Sequence, residues 1–427
     1  MAFSHEALGL TFTASNQSHH MAEKKSAAIG FIFITLLIDI TGWGLIIPVL
    51  PQLIKDLTGG DVSSAAQWAG WLGFAYAITQ FIFSPIVGSL SDQVGRRPVL
   101  LFSLFGFGID YILLALAPSM AWLFAGRIIA GITGSSITTA SAYIADISTT
   151  ETRAKNFGMI GAAFGVGFIL GPVLGGLLGQ FGARVPFWTA SALCLLNWLY
   201  GYFVLPESLG KEHRRAFSWS SAIPFKSLLN LRKYPSITAL IFSLTLVYIA
   251  GHAVQSNWSF YGIERFNWNE KMIGISLGVV GLLVGLVQGG LVRVINPKIG
   301  NEKSIYLGLL LYTLGMVLFG LATETWMMFL FLIPYCLGGI CGPALQAIIS
   351  GQVPPNQQGE LQGALTSLMS VTSIVGPPLM TNTFAYFTDK AHHVYLPGAP
   401  FFLGSAFMLV SAWLAYRSLH PGKVVAV

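Results

Sequence analysis

The sequence predicts an all-α integral membrane protein, with twelve transmembrane helices in two pseudo-symmetric bundles of six. Three observations predict it. Only 9% of the 427 residues are charged and 54% are hydrophobic, whereas a soluble domain carries about 25% charged residues. Apolar stretches of about 20 residues, the length that crosses a bilayer as a helix, recur twelve times along the chain. One constant offset of 205 residues superposes landmarks of the two halves: Gly95 on Gly300, Gly158 on Gly363, and Gly171-Pro172 on Gly376-Pro377. The composition excludes a soluble enzyme, a nucleic-acid-binding domain and a disordered protein. The net charge of +6 does not reverse this, because the basic residues are dispersed between apolar stretches.

The elements follow in order. The first 20 residues are polar and lack an apolar core, so they are not a signal peptide. Met21-Ala-Glu-Lys-Lys reads as a second start, and the polar tail extends to residue 28. The first bundle, 29–205, holds stretches at 29–50, 67–88, 98–117, 121–144, 157–180 and 186–205. A linker over 206–235 follows, carrying Lys211, Arg214, Arg215, Lys226, Arg232 and Lys233. The second bundle, 236–417, holds 236–261, 272–295, 304–322, 326–349, 360–386 and 400–417, and a tail closes the chain at 418–427. Lys and Arg in the loops set orientation. With the N-terminus placed in the cytoplasm, 17 lie on the cytoplasmic side and 5 on the other. Both termini are therefore expected to be cytoplasmic. Cys194, Cys336 and Cys341 sit in apolar runs without metal-ligand spacing and are expected to be buried thiols.

Four features carry chemistry. Between helices 2 and 3 stands Gly88-Ser-Leu-Ser-Asp92-Gln-Val-Gly95-Arg96-Arg97-Pro, a tight loop of glycines, one acid and paired arginines. The offset places Pro297 where Asp92 stands, so the second copy has lost the acid and the device is expected to be asymmetric. Helix 4 carries Arg127-Ile-Ile-Ala-Gly131-Ile-Thr-Gly134. An embedded Arg marks function by default, the plain alternative being an Arg that snorkels to the nearer interface. Helix 5 carries Gly167-Phe-Ile-Leu-Gly171-Pro172-Val-Leu-Gly175-Gly176. Glycines four apart present a flat face to a partner helix, and the proline permits bending. Asp39 and Asp110 each lie about 10 to 12 residues into their spans, near mid-depth at 1.5 Å per residue. An acid that can hold either a proton or a cationic substrate is a minimal antiport device; the alternative for Asp110 is a permanent pair with Arg127. His252, Gln255, Asn257, Gln288 and Gln346 are embedded polar residues of the second half and are expected to line a substrate cavity.

Competing motifs fail. There is no phosphate-binding loop, no zinc-protease helix and no catalytic constellation, so no enzyme, cofactor or metal site is expected. Gly274-Ile-Ser276-Leu-Gly278 formally fits a hydrolase elbow, but it lies in a membrane stretch with no strand before it.

The loop at Gly88–Arg97 resembles the loop 2–3 signature of the major facilitator superfamily at every defined position. The helix 4 and helix 5 patterns resemble two further motifs of it, the latter typical of proton-coupled antiporters. Within it the chain is similar to the twelve-helix tetracycline/proton antiporters over residues 27–417. The most specific pieces are Asp39-Ile-Thr-Gly-Trp-Gly-Leu-Ile-Ile-Pro-Val-Leu-Pro51, Asp110-Tyr-Ile-Leu-Leu-Ala, Gly131-Ile-Thr-Gly, Ala145-Asp146, Arg265-Phe-Asn-Trp268, Pro343-Ala-Leu-Gln346 and Gln357-Gln-Gly-Glu-Leu-Gln-Gly363. The resemblance implies that Asp39 and Asp110 serve coupling and substrate handling. It implies that Asp92 faces the N-terminus of helix 11, and that Arg96 links Asp92 to Asp146 as a conformational latch. The chain departs from it where exporters of this family carry a His in helix 8: Val284 stands there, and His252 lies one helix earlier. The implied protein exports a drug-like molecule against protons, as a monomer in a bacterial inner membrane. Its substrate is tetracycline, alone or as a metal chelate, or another amphipathic drug or metabolite. Two other functions fit the same residues: a proton-coupled importer on this fold, and a transport-dead receptor or scaffold, which has no use for buried acids.

Overall fold

The computed structural model describes residues 29–134, 136–149, 151–217, 219, 237–354 and 357–420. The tail before residue 29, the linker residues Lys226, Arg232 and Lys233, and the chain end from residue 421 lie outside the described residues. The described residues form helices and connecting turns, with no strand among them. A spanning segment has no water for its backbone groups, and a helix satisfies them within itself.

Among the described residues, eleven helices are long and apolar enough to cross a membrane. We number α1 Ile29–Ile46, α2 Val62–Val94, α3 Arg96–Leu116 and α4 Met120–Ile147, then α5 Arg153–Gly179 and α6 Val185–Val204. The rest are α7 Thr238–Phe266, α8 Glu270–Ile299, α9 Asn301–Leu321, α10 Thr325–Gly351, α11 Gln358–Thr388 and α12 Ala399–Leu419. Twelve spans are expected from the sequence; α6 is the helix that falls short. It is 20 residues long, but Asn197, Trp188, Trp198, Tyr200 and Tyr202 dilute its hydrocarbon. α1 is also shorter than expected. Pro48 has no N–H to give the ladder, so the chain turns at 47–49 and resumes as the short helix Leu50–Thr58. α2 starts earlier than hydropathy predicts because Asp61 caps it, accepting from the Ser64 N–H at 2.9 Å.

The 205-residue offset has a structural counterpart. Gly95 and Gly300 each join two helices end to end with positive φ, +111° and +84°, where any other residue is strained. α4 is interrupted at Gly134, and α10 has a 3₁₀ turn at Gly338–Ile340. Each break exposes a carbonyl, and an amide side chain from a neighbouring helix takes it. Gln80 Nε2 donates to Gly134 O at 2.9 Å, and Asn296 Nδ2 donates to Ile340 O at 3.3 Å.

The helices before and after the linker meet at one end. Ser63 of α2 donates to Ala385 O of α11 at 2.7 Å, Gln67 donates to Asn382 at 3.0 Å, and Ser259 of α7 donates to Ile47 O at 3.2 Å. A Cβ on Gly274 of α8 would lie 3.0 Å from Gly176 Cα of α5. Towards the Asp92 end the same helices diverge. A Cβ on Gly158, Gly161 or Gly165 of α5, or on Gly285, Gly289 or Gly290 of α8, would meet nothing within 4 Å. Gly88 of α2 and Gly359 and Gly363 of α11 face open space likewise.

This difference is testable. Gly274→Val overpacks a closed seam and is expected to cost about 1–3 kcal/mol, read as a lower melting temperature in detergent. Gly285→Ala meets nothing and should raise melting slightly, since a helical glycine costs about 1 kcal/mol relative to alanine. Equal effects of the two substitutions would contradict the packing described.

Candidate functional site

α1, α2, α3 and α4 build a charged cluster inside the first half. Asp110 is fully buried, and its Oδ2 accepts from Arg127 Nη2. Arg127 therefore turns into the protein instead of snorkelling. Room for the pair comes from Gly126, where a Cβ would lie 2.7 Å from Asp110 Oδ1. The Arg127 guanidinium also sits 5.9 Å from the centroid of the Tyr76 ring, a cation–π distance. Tyr76 Oη accepts from Gln80 Nε2 at 2.9 Å. A Cβ on Gly131 would lie 2.7 Å from Tyr76 O, so this glycine admits the α2 backbone. The helix 4 motif thus has a physical content: Arg127 holds Asp110, Gly131 admits α2, and Gly134 offers its carbonyl to Gln80.

Asp39 is different. It is buried on α1 with the Ser136 side chain of α4 beside it, and neither carboxylate oxygen has a partner at full hydrogen-bond geometry among the described residues. Its helix is fixed from behind by α5. A Cβ on Gly167 would lie 2.9 Å from Ile40 Cβ, one on Gly171 2.8 Å from Gly44 Cα, and one on Gly175 2.9 Å from Leu45 Cα. Pro172 closes on the same partner, since a Cβ on Gly44 would lie 2.8 Å from Pro172 Cδ. Gly176 faces the other way, to Gly274 of α8. The antiporter motif therefore presses α5 against the Asp39 helix on one side and the second half on the other.

The second half is neutral where the first is charged. At the offset of 205, Leu244, Gly315 and Leu332 stand for Asp39, Asp110 and Arg127. Of its five polar candidates, Gln346 of α10 donates to Tyr248 Oη of α7 at 3.0 Å. His252 and Gln255 follow Tyr248 one and two turns later. His252 packs on the α11 kink, its Cγ 2.6 Å from where a Cβ on Gly376 would be. Gln288 lies in a π-helical turn of α8, Val287–Leu291, a distortion frequent at functional sites. Its Nε2 is 3.6 Å from where a Cβ on Gly339 of α10 would be. Asn257 is fully buried; its Nδ2 donates to Ala253 O at 3.2 Å and its Oδ1 has no hydrogen-bond partner. Ser276 is a structural residue in α8, bonded to Trp258 Nε1 at 2.8 Å. The three cysteines are buried and free. A groove of about 620 Å³ between α2 and α11, lined by Trp71, Phe74, Ile374 and Pro378 among others, holds none of the candidate residues.

The latch residues come together at the open end. Asp92 Oδ1 lies 2.6 Å from Arg96 Nη1, and Arg96 Nε lies 3.2 Å from Asp146 Oδ2. Arg97 reaches Tyr202 O at 2.6 Å. The Asp92 side chain is 41% exposed. Sequence reasoning missed three residues here and above. Tyr76 and Gln80 carried a weak signal as polar groups in the apolar second stretch. Glu207 carried none, yet its Oε1 accepts the Arg96 N–H at 2.8 Å.

The chain is similar to known proteins. The family described as Major Facilitator Superfamily matches residues 32–377 and 295–426. A class C tetracycline resistance protein of Escherichia coli is 42% identical over 85% of this chain and 91% of its own length. A class E tetracycline resistance protein of the same organism is 37% identical over 92% and 95%. Among solved structures, the human organic anion transporter MFSD10 aligns over 92% of this chain and 99% of its own, with a TM-score of 0.66 and 25% identity.

The buried pair yields a stability prediction. Arg127→Leu leaves Asp110 charged and unpaired, and is expected to destabilise by about 3–5 kcal/mol. The double variant Asp110→Leu/Arg127→Leu should recover much of that loss. Detergent melting of the single and double variants checks it, and a double variant no more stable than the single would refute the pairing role.

Proposed function

The chain belongs to the Major Facilitator Superfamily, and we propose that it is a proton-coupled antiporter exporting a drug-like small molecule by alternating access. The observation that carries this reading is the contrast between its two embedded acids. Asp110 is held by Arg127, whereas Asp39 has no partner for either oxygen. A buried carboxylate without a partner is costly, and a proton or a cationic ligand removes that cost. Asp39 therefore alternates between the two, and Asp110 with Arg127 fixes the field around it. His252, Gln255, Gln288 and Gln346 offer neutral donors and acceptors for the rest of a substrate, carried as the drug itself or as its metal chelate.

The latch end is cytoplasmic on the 17-to-5 distribution of Lys and Arg. The conformation is then open inward, α6 crosses as the twelfth span, and both termini lie inside a bacterial inner membrane. The two bundles, 29–205 and 236–417, work as a monomer. Protonation of Asp39 from outside releases the substrate and favours return to the inward-open state. Asp92, Arg96 and Asp146 hold the cytoplasmic side when the protein opens outward. The relatives named as tetracycline resistance proteins support tetracycline as a substrate. The MFSD10 likeness favours a second reading, export of an organic anion or metabolite on the same fold.

Two experiments test these assignments. In proteoliposomes with an imposed pH gradient, Asp39→Asn is expected to abolish uphill tetracycline transport while leaving downhill exchange; pumping at the wild-type rate would remove Asp39 from coupling. For orientation, a cysteine replacing Glu212 should resist an impermeant thiol reagent added outside intact cells and react after permeabilisation. Labelling in intact cells would invert the topology.

A further inference from the structure

We infer that the chain just after α6 is a working part of the latch, with Glu207 as a positioning residue that holds the Asp92 loop in shape. This role presupposes the alternating-access cycle proposed above.

The first N–H groups of a helix have no partner inside it, and the positive end of its dipole favours a carboxylate. α3 begins at Arg96 directly after Gly95, which has no side chain to cap it. Glu207 supplies the cap from 111 residues away: Oε1 takes the Arg96 N–H at 2.8 Å and Oε2 the Arg97 N–H at 3.3 Å. The loop is shaped to admit it. A Cβ on Gly95 would lie 2.8 Å from Glu207 Cδ, so the glycine of the loop signature is required by the incoming carboxylate as well as by its φ of +111°.

The same segment touches every other member of the latch. Glu207 Oε1 also accepts from the Ser208 and Leu209 N–H groups at 3.0 and 3.1 Å, folding the chain tightly. Ser208 Oγ donates to Asp146 Oδ2 at 3.0 Å, the oxygen that Arg96 Nε also reaches. The Arg215 N–H donates to Asp92 O at 3.0 Å. Tyr143 Oη anchors the start of the segment at Pro206 O, 2.9 Å away, and Arg214 Nη2 lies 3.9 Å from Glu207 Oε2. Residues 206–215 thus bind Asp92, Arg96 and Asp146 together before the chain runs on towards the second half. Without Glu207 the loop loses its cap, and a closed latch end has no preformed loop to close upon.

The test combines transport and distance. Wild type, Glu207→Ala, Glu207→Gln, Asp92→Asn and the Glu207→Ala/Asp92→Asn double variant are reconstituted with tetracycline as the probe. Spin labels on cysteines replacing Lys155 and Lys298, both at the latch end and exposed, report opening without any substrate. Glu207→Ala should slow turnover about tenfold, the size of one charge-assisted cap, with KM within about twofold, and should shift the label distances to the open population. Glu207→Gln, which keeps one acceptor oxygen, should fall between. The double variant should be no slower than Asp92→Asn alone, because both act through one loop. Glu324→Gln, at an exposed acid just before α10, should match wild type. Wild-type turnover and label distances in both Glu207 variants, or full additivity in the double variant, would overturn the inference. If Glu207→Ala is not monodisperse, Glu207→Gln decides alone. If wild type moves no tetracycline, the substrate assignment fails and the label distances still decide the role of Glu207.

Discussion

Backbone-to-backbone contact along α5 determines where the other parts stand. Lipid chains are as apolar as leucine, so helices in a bilayer are held by close packing more than by exclusion from solvent. Gly167, Gly171 and Gly175 let α1 approach until side chains have no room, and Gly176 does the same for α8. One helix thereby touches both the element that carries Asp39 and the other half of the molecule. Since these contacts lie at the end away from Asp92, the halves are joined there and parted at the other end. The position of Asp39 and the opening of the molecule are consequences of one glycine face.

The charges divide by role on that frame. An ion embedded at this depth is expensive, and the chain keeps three, all in the first half. Two neutralise each other: Arg127 bonds Asp110, Gly126 leaves them room, and the Tyr76 ring covers the guanidinium. That leaves Asp39 as the acid whose state is set by what arrives from outside the protein. The second half has Leu244, Gly315, Leu332 and Pro297 at the corresponding positions, so it presents amides, a phenol and an imidazole but no embedded charge. The two halves are similar scaffolds, and only the first carries embedded charge at these positions.

Much of this was legible in the sequence because an ionisable residue in an apolar run announces itself. Asp39, Asp110 and Arg127 stand out without reference to any fold, and glycines at regular spacing mark the packing face of α5. What the sequence could not settle is helix rotation. Whether Arg127 snorkels or turns to Asp110 depends on which way its face points relative to α3, and no local pattern encodes that. Glu207 was invisible for a different reason: its partners are 110 residues away or more, and an acid after a helix looks like any loop acid. The shortfall of α6 is one of composition, in that its aromatic and amide groups lower hydropathy without shortening the helix.

One set of residues is not explained by the conformation in hand. A glycine inside a helix costs about 1 kcal/mol relative to alanine, and a packing need normally offsets it, as at Gly176 and Gly274. Gly158, Gly161 and Gly165 of α5 and Gly285, Gly289 and Gly290 of α8 face open space, so nothing here offsets theirs. They lie on the same two helices as the closed seam, displaced towards the latch. Under alternating access, closing the latch end brings these stretches towards each other, and a flat face is then what they need. On that reading a pattern wasted in one conformation is required in the other, and the α5–α8 pair carries two seams of which only one is closed at a time.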